Sequence, residues 1–196
     1  MSVKDFIVRQ VERNDIKAFM ENYHYSHNIN GVISDYCFAL FDKETLIGAM
    51  ILGRLAMRNQ WKKYADKEED VIELRRLVCV DDTPKNTESY FIGHVLRWLK
   101  KNTKFKKVLS YSDLTHGHSG VVYKASNFKL VYTVPPIKVI RRLSDNKLYH
   151  DKTIRTKYKG ELKPFALKLK QDLEKGEAVF EKTLGKNAYI YDLEVH

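Results

Sequence analysis

Apolar and polar residues alternate from Phe6 to Val11, which predicts a first strand. Ile16, Phe19 and Met20 then recur at helical spacing behind Asn14-Asp15, so a helix capped by that pair should follow. Tyr36 to Phe41 and Leu46 to Leu52 are β-rich runs split by Asp42-Lys43-Glu44, a hairpin expected at the centre of a sheet. Arg54 to Asp70 is charged and irregular around Trp61 and Tyr64 and reads as an insertion with a short helix. Val71 to Val80 is a further strand. Thr87 to Lys101 gives the strongest helical pattern, with Phe91, Ile92, Val95, Leu96 and Leu99 on one face and Arg97, Lys100 and Lys101 near the end that favours cations. A strand over Val108 to Tyr111, a short helix over Gly120 to Ser126, and strands near Leu130 to Val134 and Ile137 to Arg142, split by Pro135-Pro136, complete the order. Beyond lie a loop, a helix near Pro164 to Glu174 and a last strand near Ala188 to Leu193. The pattern predicts an α/β (α+β) protein with a mixed, mostly antiparallel central sheet flanked by helices. Residues 1–142 would form the core and 143–196 a basic extension packed on it.

Composition sharpens this picture in one place. The 196 residues carry a net charge of +10, and Lys138 to Lys170 holds eleven Lys or Arg against three Asp or Glu. Clustered positive charge suits either a solvated face or the neutralisation of phosphates. Arg141, Arg142 and Arg155, with Tyr149-His150 between them, favour nucleic acid, because guanidinium groups and aromatic rings suit phosphates and unstacked bases. Lys138 and Lys157 join them as expected DNA contacts. At 43% hydrophobic and 12% aromatic the chain can bury a core, yet no run of about 18 apolar residues predicts a membrane span. The charged start MSVKDFIVRQVERND has no apolar segment of a secretion signal. Cys37 and Cys79 lie in apolar runs and read as buried free thiols. These features predict a cytoplasmic protein.

The candidate chemistry gathers in SYSDLTHGHSGVVYKASNF, Ser110 to Phe128. A strand, a polar turn and a helix in that order deliver ionisable groups to the carboxyl edge of a sheet, where open α/β sheets hold ligands. Asp113, at the strand end, is a cap or an acceptor for an amine proton. Tyr123 is a core tyrosine or a proton donor to a departing anion. His24 and Tyr25 follow the first helix and suit hydrogen bonding or stacking to a flipped base. Asp113, His116 and His118 spell D-x-x-H-x-H, a chance pattern in most proteins but able to make an Fe(II) site of two histidines and one carboxylate. Arg75 and Arg76 should point to opposite faces of their strand, with Arg75 in the site and near Glu73. Asn86 and Ser89, before and within the helix start, are caps that can also hold a cofactor oxygen.

This order of elements resembles the GNAT acyltransferase fold, most closely from Val71 to Phe128. The resemblance implies that the strand through Val78 and Val80 pairs with the arm of an acyl-CoA such as acetyl-CoA. It implies too that the helix from Thr87 faces the diphosphate, and that Tyr123 protonates the leaving thiolate. The usual glycine-rich loop is absent: Asp81 to Ser89 contains no glycine. Taken together, His24-Tyr25, Glu73-Leu-Arg-Arg-Leu77, Asn86/Ser89, Ser110-Tyr-Ser-Asp113, Gly117-His118, Tyr123 and the closing Lys186-Asn-Ala-Tyr-Ile-Tyr are similar to the phage Mom family of GNAT-like DNA-modification proteins. That resemblance implies carbamoylmethylation of adenine N6 in double-stranded DNA, protection of phage DNA from host restriction, and an iron requirement resting on His118. Two rival readings remain at this stage: an acyl-CoA-dependent N-acetyltransferase on a protein or small amine, and a non-catalytic nucleic-acid-binding module on the same fold. Oligomeric state is open, a homodimer included.

Overall fold

The computed structural model describes residues 2–194. Its strands are β1 (Ile7–Val11), β2 (Tyr36–Asp42), β3 (Thr45–Gly53), β4 (Val71–Cys79), β5 (Lys107–Asp113), β6 (Lys129–Val134), β7 (Lys138–Arg142), β8 (Leu148–His150), β9 (Ala178–Lys182) and β10 (Lys186–Asp192). Its helices are α1 (Arg13–Tyr23), α2 (Thr87–Asn102), α3 (Val121–Ala125) and α4 (Pro164–Glu174). Contacts divide the chain into two compact units. The first holds residues up to 112, 118–132 and 187 onward; the second holds 113–117 and 133–186.

The first unit is built on a seven-stranded sheet in the order β1-β2-β3-β4-β5-β10-β6. β1 to β4 pair antiparallel in sequence, and β4 meets β5 in parallel. The expected β2–β3 hairpin forms, but β4 rather than the hairpin is the middle strand. Strand alternation sorts the core. Phe38, Leu40, Met50 and Leu52 face α2 and α3 with Phe91, Ile92 and Val95. Cys37, Ala39, Ala49 and Ile51 face α1 with Ile16, Phe19 and Met20. Burying each large apolar side chain contributes about 1.5–3 kcal/mol. Both cysteines are free, and burial pushes their thiols up, to about 11 for Cys37 and about 12 for Cys79, so neither is a reactive thiolate.

Local chemistry corrects two expectations. The α1 cap is Glu12, whose N–H donates to the Asp15 carboxylate at 2.9 Å, so Asp15 reaches back from the first turn instead of capping with Asn14. The segment from Arg54 to Asp70 contains only 3₁₀ turns, at Gln60–Lys63 and Glu68–Asp70. There the Tyr64, Tyr111 and Tyr132 hydroxyls contact one another, with Tyr64 donating to Tyr132 at 2.9 Å and Gln60 donating to Tyr111 at 2.8 Å.

The second unit is a three-stranded sheet, β8-β7-β9, with α4 covering Ile140 through Leu169. The helix lies where the sequence predicts it, with Pro164 at its start as proline favours. β8 and β9 lie outside the predicted elements, because each is short and β9 leaves Val179 and Phe180 exposed.

Gly120 enters α3 with φ +79, and a Cβ placed there would collide with the Tyr189 ring, whose hydroxyl donates to the Ser119 carbonyl at 3.1 Å. Backbone strain of about 1–2 kcal/mol adds to that clash. Gly120→Ala should therefore lower the thermal midpoint by at least about 4 °C, read by circular dichroism; an unchanged midpoint would show that Tyr189 can move aside.

Candidate active site at the β4–β5 opening

Parallel pairing of β4 and β5 runs from Val71↔Lys107 to Leu74↔Ser110 and stops. β4 continues to Cys79 and β5 onward past Ser110 without pairing to each other, so the sheet opens at the carboxyl ends of its middle strands. The parting coincides with a bulge. Ile51 pairs with Arg76 while Leu52 pairs with Leu74, which makes Arg75 the extra residue. The bulge shifts the phase of everything after it. Val80 donates to the Ile47 carbonyl at 2.9 Å, and its own carbonyl accepts from the Thr83 hydroxyl at 3.0 Å. By alternation Val78 is bonded to Ala49, so the amides turned to the opening are those of Leu77 and Cys79, not those of Val78 and Val80.

Arg75 lies beside Glu73, with Nη1 at 3.2 Å from Oε2, and also donates to the Arg54 carbonyl at 3.0 Å. It is therefore the structural partner of a carboxylate. Arg76 differs. It donates to the carbonyl of its own neighbour Arg75 at 2.7 Å, its buried Nε has no partner, and the Glu73 carboxylate that acts on it is bonded to Arg75. Burial pulls its pKa down and the neighbouring Arg75 charge adds to the fall, with Tyr25 and the Glu73 carboxylate acting in the opposite direction. A half-buried guanidinium whose neighbouring carboxylate is bonded to another arginine costs stability, and a bound anion or carbonyl oxygen would satisfy it. Arg76→Met should raise the thermal midpoint by about 2–8 °C, corresponding to about 1–2 kcal/mol, and should abolish activity. A midpoint that falls would show that Arg76 is already compensated.

Several of the expected site residues come together in the first unit. His24 is buried at 5% exposure, and its Nδ1 accepts from the Ser26 amide at 3.1 Å, which assigns the proton to Nε2. The His24 and Tyr25 ring centroids lie 4.3 Å apart, and the His118 and Tyr25 rings meet in a T shape with centroids 4.9 Å apart. Tyr123, on α3, packs its ring on Phe128 at 5.6 Å and Tyr189 at 5.4 Å. Burial pushes its phenol up to about 12, offset in part by Ser110. Next along that face of β5, Ser112 is buried with its hydroxyl unpartnered. At the start of α2, Asn86 has φ +74 and makes no side-chain cap; its carbonyl accepts from the Ser89 hydroxyl at 3.0 Å. Thr87 N–H donates to Pro84, and the first helical bond is from Tyr90 to Asn86, so the Glu88 and Ser89 amides have no intrahelical acceptor.

Asp113 and His116 belong to the second unit. Burial pushes the Asp113 carboxyl up, but the Lys186 ammonium at 2.9 Å and the Thr115 amide at 3.1 Å outweigh it and hold the group ionised below its usual range. Such a carboxylate is a good hydrogen-bond acceptor and a poor base. It also caps the turn Leu114–His116. The D-x-x-H-x-H reading fails: among the described residues no three His, Cys, Asp or Glu side chains gather as a metal requires. Asp113 is held by Lys186 and Thr115, and His118 is packed against Tyr25. The residues do not fit Fe(II).

The expected DNA contacts also lie in the second unit. Arg141 makes a two-pronged pair with Glu181 at 2.8 and 2.6 Å. Arg142 pairs with Asp145 and Arg155 with Asp151. Lys138 sits over the Phe180 ring at 3.8 Å. Lys157 lines a cavity of about 370 Å³.

A sheet parting between its middle strands, with α2 entering at its carboxyl edge and a helical tyrosine beside it, defines the GNAT acyltransferase fold. Solved structures agree. The chain superposes on Arabidopsis thaliana NAA60 in complex with acetyl-CoA with a TM-score of 0.57 at 11% identity, covering 96% of this chain and 99% of that one. On a Vibrio cholerae spermidine N-acetyltransferase SpeG mutant the score is 0.55 at 10% identity, over 97% and 95%. Within that fold the chain belongs to the Mom protein family, whose model matches residues 5–196. It is similar to the methylcarbamoylase mom of Escherichia phage Mu, 28% identical over 119 residues, or 59% of this chain and 48% of that protein. The match thus spans about half the length of that curated relative. No helix among the described residues is long and apolar enough to cross a membrane.

Proposed function

We propose that the chain is a DNA-modifying transferase that places a carbamoylmethyl group on adenine N6 and thereby shields phage DNA from restriction. Membership of the Mom family carries this reading; the relative from phage Mu is named a methylcarbamoylase. The target adenine leaves the base stack, at a cost of a few kcal/mol, and is held by the His24–Tyr25 pair. The open β4 edge, through the Leu77 and Cys79 amides, suits the amide-bearing arm of an acyl-CoA-type donor. The Glu88 and Ser89 amides and Lys85 would meet its diphosphate, against the charges of Asp81, Asp82 and Glu88. Acyl transfer from such a thioester, with loss of its thiolate, would give an N6-acyl adenine; the N–CH₂ bond of a carbamoylmethyl group instead needs a donor whose methylene carbon carries the leaving group. Tyr123 Oη, neutral throughout the physiological range, would give a proton to a departing or developing anion there. Arg76 would hold the donor's carbonyl oxygen or an anionic group.

The test is mass spectrometry of nucleosides from plasmid DNA of cells expressing the chain. A deoxyadenosine heavier by the carbamoylmethyl mass is the expected result. Unmodified DNA from well-expressed, folded protein would overturn the reading and favour acetyl-CoA turnover on small amines, the reaction class of the spermidine N-acetyltransferase that shares the fold.

A further inference from the structure

The second unit contains a cavity of about 370 Å³ between the turn Asp151–Ile154, the loop after it and the start of α4. Its walls include His150, Lys152, Lys157, Tyr158, Lys163 and Phe165. One side is a two-residue hairpin. Tyr158 and Glu161 exchange backbone bonds at 2.7 and 3.2 Å, and Lys159 and Gly160 turn the chain at φ +52 and +87. The hairpin holds Tyr158 out at 63% exposure, and α4 holds Phe165 out at 55%. Neither of these rings belongs to the buried core of the unit.

The charge around this cavity is unlike that on the rest of the basic segment. Arg141, Arg142 and Arg155 are matched by Glu181, Asp145 and Asp151. His150 is likewise beside Asp151, at 2.8 Å. Lys152, Lys157, Lys159 and Lys163 make no ion pair among the described residues. Lys163 and Lys159 instead hold their ammonium groups 5.5 and 5.8 Å from the Tyr158 ring. Uncompensated ammonium groups around exposed rings match a ligand with phosphates on its outside and a flat π-face within.

We infer that this cavity receives one unstacked nucleotide of a DNA strand, its base on Phe165 and Tyr158 and its phosphates on Lys152, Lys157 and Lys163. The inference rests on the reading of the chain as a DNA-modifying protein and gives that reading a nucleic-acid contact separate from the paired arginines. A stacked duplex offers no free base face, so the site prefers single-stranded or locally opened DNA.

The experiment is fluorescence anisotropy of the full chain with a labelled single-stranded oligonucleotide and its duplex over a range of salt. Phe165→Ala should weaken single-strand binding about 5- to 150-fold and leave the salt slope and duplex affinity nearly unchanged. Phe165→Leu, which keeps an apolar side chain, should lose nearly as much. A triple Lys152→Gln, Lys157→Gln, Lys163→Gln variant should flatten the single-strand slope of log K against log salt by about 2. Arg141→Gln should change neither. Unchanged binding in the phenylalanine and lysine variants, an equal loss on duplex, or equal displacement by polyglutamate would overturn the site, the last by pointing to an acidic protein segment. Nucleoside mass spectrometry separates the two readings. Modified DNA with indifferent Phe165 and lysine variants leaves the function standing without this site. Unmodified DNA with the expected binding losses leaves the site standing without the function.

Discussion

Tyr123→Phe should cut the rate of adenine modification by about 10²- to 10⁴-fold, the usual contribution of a positioned general acid. The substitution removes one oxygen from a ring otherwise held by Phe128 and Tyr189, so the fold should lose only about 1 kcal/mol. Burial pushes the phenol up to about 12. The proton is therefore fully present below that pH, and across pH 6 to 9 the wild-type rate should show no titration of this group. A time course of modified deoxyadenosine, with a thermal melt of each protein, checks both parts. A wild-type rate in a folded Tyr123→Phe protein would remove Tyr123 from the chemistry and leave it as a core residue. A rate loss matched by a collapsed melt would assign it to stability instead.

Much of this site was legible in the residues because its parts are local. The strand, turn and helix of Ser110 to Phe128 place Tyr123 through short-range pattern alone, and α2 and α4 lie where their apolar faces and starting residues put them. His24 and Tyr25 follow directly from the end of α1. What the pattern could not give is phase. The bulge at Arg75 depends on how β3 and β4 pair; VIELRRLVCV carries no glycine or proline to mark it. The extra residue in the alternation moved the open amides from Val78 and Val80 to Leu77 and Cys79. Long-range pairing was equally hidden. Nothing near Asp113 in the sequence announces Lys186, and nothing near Arg141 announces Glu181. Those partners turn a candidate base into an acceptor and a candidate phosphate contact into an ion pair. The tyrosines at 64, 111 and 132 join only in three dimensions. The metal motif failed for a related reason: adjacency in sequence says nothing of where three side chains point.

The extra residue of the β4 bulge carries one buried ion pair, and removing its acid should be costly. Glu73 and Arg75 have side chains only 14% and 13% exposed. Arg75 Nε is buried without a partner, so Nη1, shared between Glu73 and the Arg54 carbonyl, makes the guanidinium's only described hydrogen bonds. Glu73→Gln keeps the shape and an acceptor oxygen but deletes the charge. It strands a guanidinium in the interior, for which about 3–5 kcal/mol is typical. For a chain of this size that corresponds to a fall of about 6–20 °C in the thermal midpoint. The double variant Glu73→Gln with Arg75→Met should recover most of the loss, because a buried pair replaced by uncharged groups of similar volume is often neutral. A double-mutant cycle on the thermal midpoint therefore separates an uncompensated charge from simple loss of packing, since only the former is relieved by the second substitution. The functional consequence is distinct from stability. If Arg75→Met straightens the strand, the phase after it reverts by one residue and the Leu77 and Cys79 amides turn toward β3. The recovered protein should then melt near the wild-type temperature while failing to modify DNA. Full activity in that protein would show that the bulge is held by the β3 pairing itself and that the ion pair only stabilises it.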